Sequence, residues 1–158
     1  MRELLISLYL VLATVGFSAA ETVEEIVSWY NGYAQLWRDP TTFDVDAAVV
    51  YFASPRYNVG PDGVAQLVTT KEMSRSNLAA FVERLKQRPG GWARSEGRAV
   101  RAQMLNPGAA LIETEWTSYT ADGKPFGNCR VRVDTYLAAK TNEGWKFLSS
   151  HTGPCKAP

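Results

Sequence analysis

From Ala109 to Gly153 apolar and polar side chains alternate with the two-residue period of a strand, interrupted twice by turn residues. Ala109 to Tyr119 (AALIETEWTSY) is the first run, and the Asp122-Gly123 that follows is a dipeptide favoured in tight hairpin turns. Phe126 to Lys140 alternates again, Thr141-Asn142-Glu143-Gly144 reverses the chain, and Trp145 to Thr152 returns alongside. Upstream, Trp92 to Leu105 pairs with the first run through Asn106-Pro107-Gly108. In this order the runs make an antiparallel meander.

Turn position sets the register by counting. A turn centred on Asp122-Gly123 puts residues whose numbers sum to about 245 opposite one another, so Glu115 is expected to face Arg130 and Glu113 to face Arg132. The last hairpin, closed around Asn142-Glu143, pairs numbers summing to about 285, which sets Asp134 beside His151 and Leu137 beside Leu148. One face then collects Ala110, Ile112, Thr114, Trp116, Val131, Val133, Thr135, Leu137 and Leu148 as the core. The other collects Glu113, Glu115, Arg130, Arg132, Asp134 and His151, with Tyr119, Tyr136, Trp145 and Phe147 nearer the strand ends. That second face reads as a solvated charge ladder, or else as a polar pocket or subunit interface with aromatic anchors. A bulge in any strand would exchange the faces beyond it.

The N-terminal half is helical in period. Thr22-Val23-Glu24-Glu25 is a capping box, and Val23, Ile26, Val27, Tyr30, Tyr33, Ala34 and Trp37 recur on one helix face until Asp39-Pro40 stops it. Asp44 caps a short second helix with Asp46 in its first turn, and the apolar run Ala47 to Ala53 continues it as a buried helix up to Ser54-Pro55. Capping accounts for both carboxylates without a catalytic role. Tyr57-Asn58-Val59 and Val64 to Val68 flank the turn Gly60-Pro61-Asp62-Gly63 as a small hairpin. Thr69-Thr70-Lys71-Glu72 is a second capping box, ahead of a third helix with Leu78, Phe81, Val82 and Leu85 as its stripe.

At 158 residues with a formal net charge of +1, the chain has the length for one core and carries no block of like charge. Neither a nucleic-acid nor an anionic-membrane footprint is visible. Residues 1–20 have a short basic start at Arg2, an apolar run from Leu4 to Phe17, and small residues at Ser18-Ala19-Ala20. This is the pattern of a secretory signal peptide, too short in its apolar part for a membrane anchor, so the domain is expected to comprise residues 21–158 and to be secreted or periplasmic. The two cysteines fit that compartment: counting places Cys129 and Cys155 within one residue of facing each other, and a disulfide between them would staple the last strand. One histidine and two cysteines are too few for a zinc site, so no metal is expected.

The aromatic first helix (Trp29, Tyr30, Tyr33), the passage Phe52-Ala53-Ser54-Pro55 to Tyr57-Asn58-Val59-Gly60, Gly91-Trp92, and the closing Tyr136-Leu137 and Gly144-Trp145-Lys146-Phe147 together resemble the nuclear-transport-factor-2-like superfamily, and within it the SnoaL-like, ketosteroid-isomerase-like members. The resemblance spans about Thr22 to Thr152 and rests on fold motifs. It implies an α+β fold in which a curved antiparallel sheet wraps three N-terminal helices as a cystatin-like cone, with a pocket between sheet and helices and, in many relatives, a dimer formed through the outer sheet face. Relatives include isomerases, cyclases, dehydratases, epoxide hydrolases and proteins without catalysis, so the fold leaves the use of the pocket open. No carboxylate here falls in a stretch matching an isomerase's catalytic motif.

Candidate site residues follow. Asp134 and His151, expected side by side, would form an acid/base pair if they faced a cavity. Tyr30, Tyr33, Tyr57, Asn58, Thr114 and Trp116 would line a small-molecule pocket with a few polar points. No nucleophile elbow, phosphate loop or cofactor motif is present in the sequence. Two readings stand: an exported binding or accessory module whose pocket holds a small apolar ligand or whose sheet face pairs with a partner, and a cofactor-independent isomerase, dehydratase or cyclase working by acid/base side chains.

Overall fold

The computed structural model describes residues 22–126 and 129–156; the expected signal peptide lies outside the described residues. Helix α1 spans Val23–Gln35, and its capping box is complete: Glu25 N–H donates to Thr22 Oγ1 at 3.2 Å while Thr22 N–H donates to Glu25 Oε2 at 2.7 Å. Ile26, Tyr30, Tyr33 and Ala34 are its buried face. Helix α2, Val45–Val49, starts at the expected cap, with Asp46 N–H donating to Asp44 Oδ1 at 2.8 Å. It ends sooner than the apolar run suggested. Phe52–Val59 is already strand β1, because the β-branched and aromatic residues Val49-Val50-Tyr51-Phe52 suit a strand as well as a buried helix, and apolar content alone does not separate the two. Strand β2 is Ala65–Val68, and helix α3 runs Lys71–Lys86 with Thr70 as its cap, one residue later than the expected box, so Glu72 takes no part in it.

Strands β3 (Arg94–Asn106), β4 (Ala109–Tyr119), β5 (Val131–Thr141) and β6 (Gly144–Lys156) complete an open six-stranded sheet in the order β2-β1-β6-β5-β4-β3. Every pairing is antiparallel except β1 with β6, which is parallel. Register shifts at Ala99/Arg101, Met104/Asn106, Arg132/Asp134 and Leu137/Ala138 mark bulges that bend the strands around the helices.

The pairings of β5 with both of its neighbours differ from the expected ones. At the Asp122-Gly123 turn the paired numbers already sum to 244 rather than 245, with Tyr119 bridged to Pro125 and Phe126 N–H donating to Ser118 O at 2.9 Å. The ladder then breaks off and restarts at Trp116 opposite Arg132. The restarted pairs sum to 248, an odd offset of three from the expected 245, so Glu115 faces Val133 and Glu113 faces Thr135, and the faces of β5 are exchanged relative to the expectation. Arg132, Asp134 and Tyr136 therefore join Ile112, Thr114 and Trp116 on the concave side, while Val131, Val133, Thr135 and Leu137 turn outward. In the last hairpin Ala138 pairs with Phe147 but Leu137 pairs with Ser149, which leaves Leu148 as the extra residue of a bulge rather than a core partner of Leu137. Beyond it His151 sits opposite Thr135, not Asp134.

The concave side is filled by rings. Tyr30 packs against Trp116, Tyr136 and Phe147 with centroids 6.3, 6.0 and 6.5 Å away, and Tyr33 lies 5.1 Å from Phe147 and 5.7 Å from Phe52. Each such pair adds about 0.5–1.5 kcal/mol beyond its area burial. Trp116 reaches this position only because Gly97 lies opposite it on β3: a Cβ at Gly97 would stand 2.6 Å from the indole. The Ser95 N–H donates to Trp37 O at 2.8 Å and so ties the end of the α1 segment to the start of β3. Cys129 and Cys155 are bonded as expected, with Cα atoms 5.1 Å apart, fastening the chain ahead of β5 to the end of β6.

Candidate binding site on the concave face

Register places four inner residues in one row across the sheet: Ile112 on β4, Tyr136 on β5, Ser150 on β6 and Asn58 on β1. The neighbouring row runs Thr114, Asp134, Thr152, and Arg56 shares the face of Asn58 two residues earlier on β1. Along these rows the face changes character. At the β4 side it is aromatic and sealed, with Trp116 and Thr114 buried; toward β6 and β1 it turns polar, and Asn58, Ser150 and Thr152 are half-buried.

At the centre Arg132 grips Asp134 with one edge of its guanidinium. Nε donates to Oδ1 at 2.9 Å and to Oδ2 at 3.0 Å, and Nη2 donates to Oδ2 at 2.8 Å. Asp134 is only 3% exposed, the one buried carboxylate among the described residues. Burial pushes its carboxyl above the usual range, and Arg132, with smaller help from the Gly153 N–H and the Tyr136 hydroxyl, opposes that push. Burial likewise works against the Arg132 charge, yet Asp134 outweighs it and holds the guanidinium firmly protonated. Burial raises the phenols of Tyr30, Tyr33 and Tyr136 above their ordinary value, so all three are neutral at physiological pH. The Tyr30 hydroxyl is buried beside Thr114, whose own hydroxyl donates to Asp134 O at 3.1 Å.

Arg56 completes the cluster. It is 5% exposed, its guanidinium lies 4.3 Å from the Phe52 ring centroid, and Nη1 donates to Asn58 Oδ1. Ser150 Oγ donates to the same Asn58 oxygen at 2.7 Å. Burial lowers the Arg56 pKa, while the phenols of Tyr33 and Tyr136 act in the opposite direction.

Of the residues expected to line a pocket, Tyr30, Tyr33, Thr114 and Trp116 do come together, but as packed rings and a buried hydroxyl. Asn58 joins the polar end. Tyr57 does not: it pairs with Ser149 and Leu67 on the outward side and is 54% exposed. The expected Asp134–His151 contact is absent because the bulge at Leu148 moves the β5–β6 pairing by one residue: Asp134 lies opposite Thr152, and His151 is exposed opposite Thr135, in a row with Glu113 and Val59. Sequence reasoning missed Arg56 and Ser150, and put Arg132, Tyr136 and Phe147 on the outer face. The parity of Arg56 with Asn58 was the one available signal for Arg56.

A second concavity, an open groove of ≈ 680 Å³, is lined by Arg38, Arg94, Glu96, Arg98 and Glu115 among others. Four of these charges pair within the chain, Arg94 with Glu96 at 2.8 Å and Arg98 with Glu115 at 2.6 Å. Lys156 reaches Glu115 as well, at 2.8 Å, and Arg101 lies 3.8 Å from Glu113, so the outer face carries a solvated ladder, with partners other than those the sequence count gave. Among the described residues no cluster of potential metal ligands forms, and no helix is long and apolar enough to cross a membrane.

An aromatic helix laid in the hollow of a bent, open sheet, with a small hairpin at one edge, is the architecture of NTF2-like proteins. The chain belongs to the family described as NTF2-like protein (DUF6841), which it matches over residues 24–155. No curated protein matches it in sequence. Among solved structures it is similar to a domain of unknown function with a cystatin-like fold from Nostoc punctiforme, at 13% identity and a TM-score of 0.66, covering 85% of this chain and 77% of that one. It is also similar to an NTF2-like protein of unknown function from Shewanella oneidensis, at 17% identity and a TM-score of 0.61, over 83% and 98% of the two chains. A candidate dehydratase of the NTF2-like family from Streptomyces avermitilis aligns at 14% identity and a TM-score of 0.61, over 85% and 96%. At these identities the likeness concerns the fold.

Proposed function

We propose that the protein is an exported small-molecule binding module whose ligand enters at the polar end of the concave face, between β1, β6 and β5. The supporting observation is the convergence there of Asn58, Ser150, Tyr136, Arg56 and the Arg132–Asp134 pair beside an aromatic wall. A few directed polar groups against a largely apolar surface are the make-up of small-molecule sites. Export is supported by the signal-like pattern of residues 1–20 and by the disulfide, a bond that persists in oxidising compartments. The outer face, where Leu111 is 38% exposed among the paired charges, is the surface we assign to self-association.

The test is a fragment screen followed by amide chemical shifts of the exported, oxidised protein. The reading expects at least one class of compound to shift Asn58, Ser150 and Tyr136 in a saturable manner. Shifts confined to the outer groove would refute it.

Acid/base catalysis of the isomerase, dehydratase or cyclase kind is the second reading, favoured by the buried Tyr30 hydroxyl beside Thr114, a neutral phenol suited to donate to a developing oxyanion. It stands second because Asp134, the buried carboxylate it would use as base, is engaged by Arg132 at both oxygens.

A further inference from the structure

We propose that the ligand of this site is a small carboxylic acid in its ionised form, and that the Nε edge of Arg56 is the group that recognises it. This rests on the binding reading above and narrows it to one ligand class.

The two inner arginines present the same chemistry in different states. Arg132 turns its Nε and Nη2 toward a carboxylate, Asp134, and every contact lies within 3.0 Å. The equivalent edge of Arg56 has no acceptor at Nε. Its Nη1 is taken by Asn58 Oδ1, whereas Nε is buried without an acceptor, and among the described residues none is found for Nη2. No carboxylate among the described residues pairs with it; the phenols of Tyr33 and Tyr136, both neutral, are the acidic groups that act on its charge. A guanidinium only 5% exposed and without a counter-ion has given up its hydration with no charge to replace it. A fork-to-fork pair with a carboxylate supplies two parallel charge-assisted bonds at that edge.

Charge selects the ligand class. Arg132 and Asp134 neutralise each other, so Arg56 leaves the cluster with one positive charge in excess. A monoanion balances it, whereas a dianion such as phosphate would exceed it and meet Asp134. The flat Phe52 ring under the guanidinium, with Tyr33 beside it, favours an acid whose remainder is aromatic or short and apolar. Entry is past Asn58 and Ser150, both half-buried.

The test uses benzoate and the isosteric neutral benzamide as probes, titrated calorimetrically into the oxidised protein at pH 7, with amide shifts to locate binding. Benzoate is expected to bind about tenfold or more tightly than benzamide, the scale of one charge-assisted pair, with shifts at Asn58 and Ser150. Arg56→Gln should abolish the preference and Arg56→Lys should recover it only in part, because an ammonium offers no fork. Equal binding of the two probes at the concave face overturns the carboxylate proposal and leaves the binding reading intact. A benzoate preference that survives Arg56→Gln overturns the role of Arg56. Absence of benzoate binding at millimolar concentration overturns the proposal whatever else the screen finds, and only a screen without concave-face hits overturns the broader reading. Should Arg56→Gln fail to fold, the comparison of the two probes on the unaltered protein decides alone.

Discussion

Removing Arg132 should expose the energetic logic of the concave face. Arg132→Met keeps most of the side-chain volume but leaves Asp134, whose side chain is 4% exposed, without its three donor contacts. Breaking a buried pair from one side costs about 3–5 kcal/mol, because the remaining charge stays buried and uncompensated. The reverse change, Asp134→Leu, should cost less, about 1–3 kcal/mol, since the Arg132 side chain is 31% exposed and its guanidinium can turn toward water. The double variant should lie closer to the parent than Arg132→Met does, so that a double-mutant cycle gives a strongly favourable coupling. The pH dependence has a definite sign. The Asp134 carboxyl already lies above its ordinary value, and Arg132 is the largest influence opposing that rise. Without Arg132 it rises further, and a raised carboxyl contributes stability that is fully present below its unfolded value of about 3.9 and lost as pH climbs through the folded value. The deficit of Arg132→Met should therefore be greatest near neutrality and shrink as pH falls toward about 4. Urea unfolding followed by tryptophan fluorescence, with the disulfide intact, measures both. A loss below about 1 kcal/mol at pH 7, the scale of an exposed pair, or a loss that does not change with pH, would refute the burial of this carboxylate.

Other consequences are simpler. Gly97→Ala places a methyl 2.6 Å from the Trp116 indole and should cost about 1–3 kcal/mol by overpacking; a neutral effect would mean that Trp116 does not occupy the hollow opposite β3. Replacing Cys129 and Cys155 by Ser opens a linkage across 26 residues, worth about 3.5 kcal/mol by chain entropy, and intact mass with and without reductant checks that the bond is formed in exported protein. If the outer face self-associates, light scattering should find a dimer that Leu111→Arg dissociates; a monomer at all accessible concentrations speaks against that surface. The change sits away from the concave face and should leave benzoate binding unaltered.

Much of this molecule is legible in its sequence, and what is not has a common physical origin. Capping at Thr22 and Asp44, the ends of β4, the buried faces of α1 and α3, and the pairing of the cysteines all follow from local patterns that fix their own geometry. The character of the inner face of β4 was likewise readable, from Ala110 to Trp116. Failure began where a count had to be carried through a loop. The turn itself closes on pairs summing to 244, one short of the assumed 245, and the ladder restarts four higher at 248, an even step, so the one-residue error at the turn turned every residue of β5 over relative to the expectation. The error was self-consistent, because Val131, Val133 and Leu137 look like core while Arg132 and Asp134 look like surface. An ion pair buried at the centre of an apolar wall violates the pattern rule locally, which is where functional sites tend to lie. Arg56 shows the same limit: in Ser54-Pro55-Arg56-Tyr57-Asn58 only its parity with Asn58 hints that the arginine is the buried member and the tyrosine the exposed one.

Every assignment to the concave face depends on how β4, β5 and β6 are aligned, and interstrand backbone NOEs in a uniformly labelled sample measure that alignment directly. The account predicts cross-strand contacts between Glu113 and Thr135, between Thr135 and His151, and between Tyr136 and Ser150. Contacts of Glu115 with Arg130 and of Asp134 with His151 in their place would return Asp134 and Arg132 to the outer surface and dissolve the site.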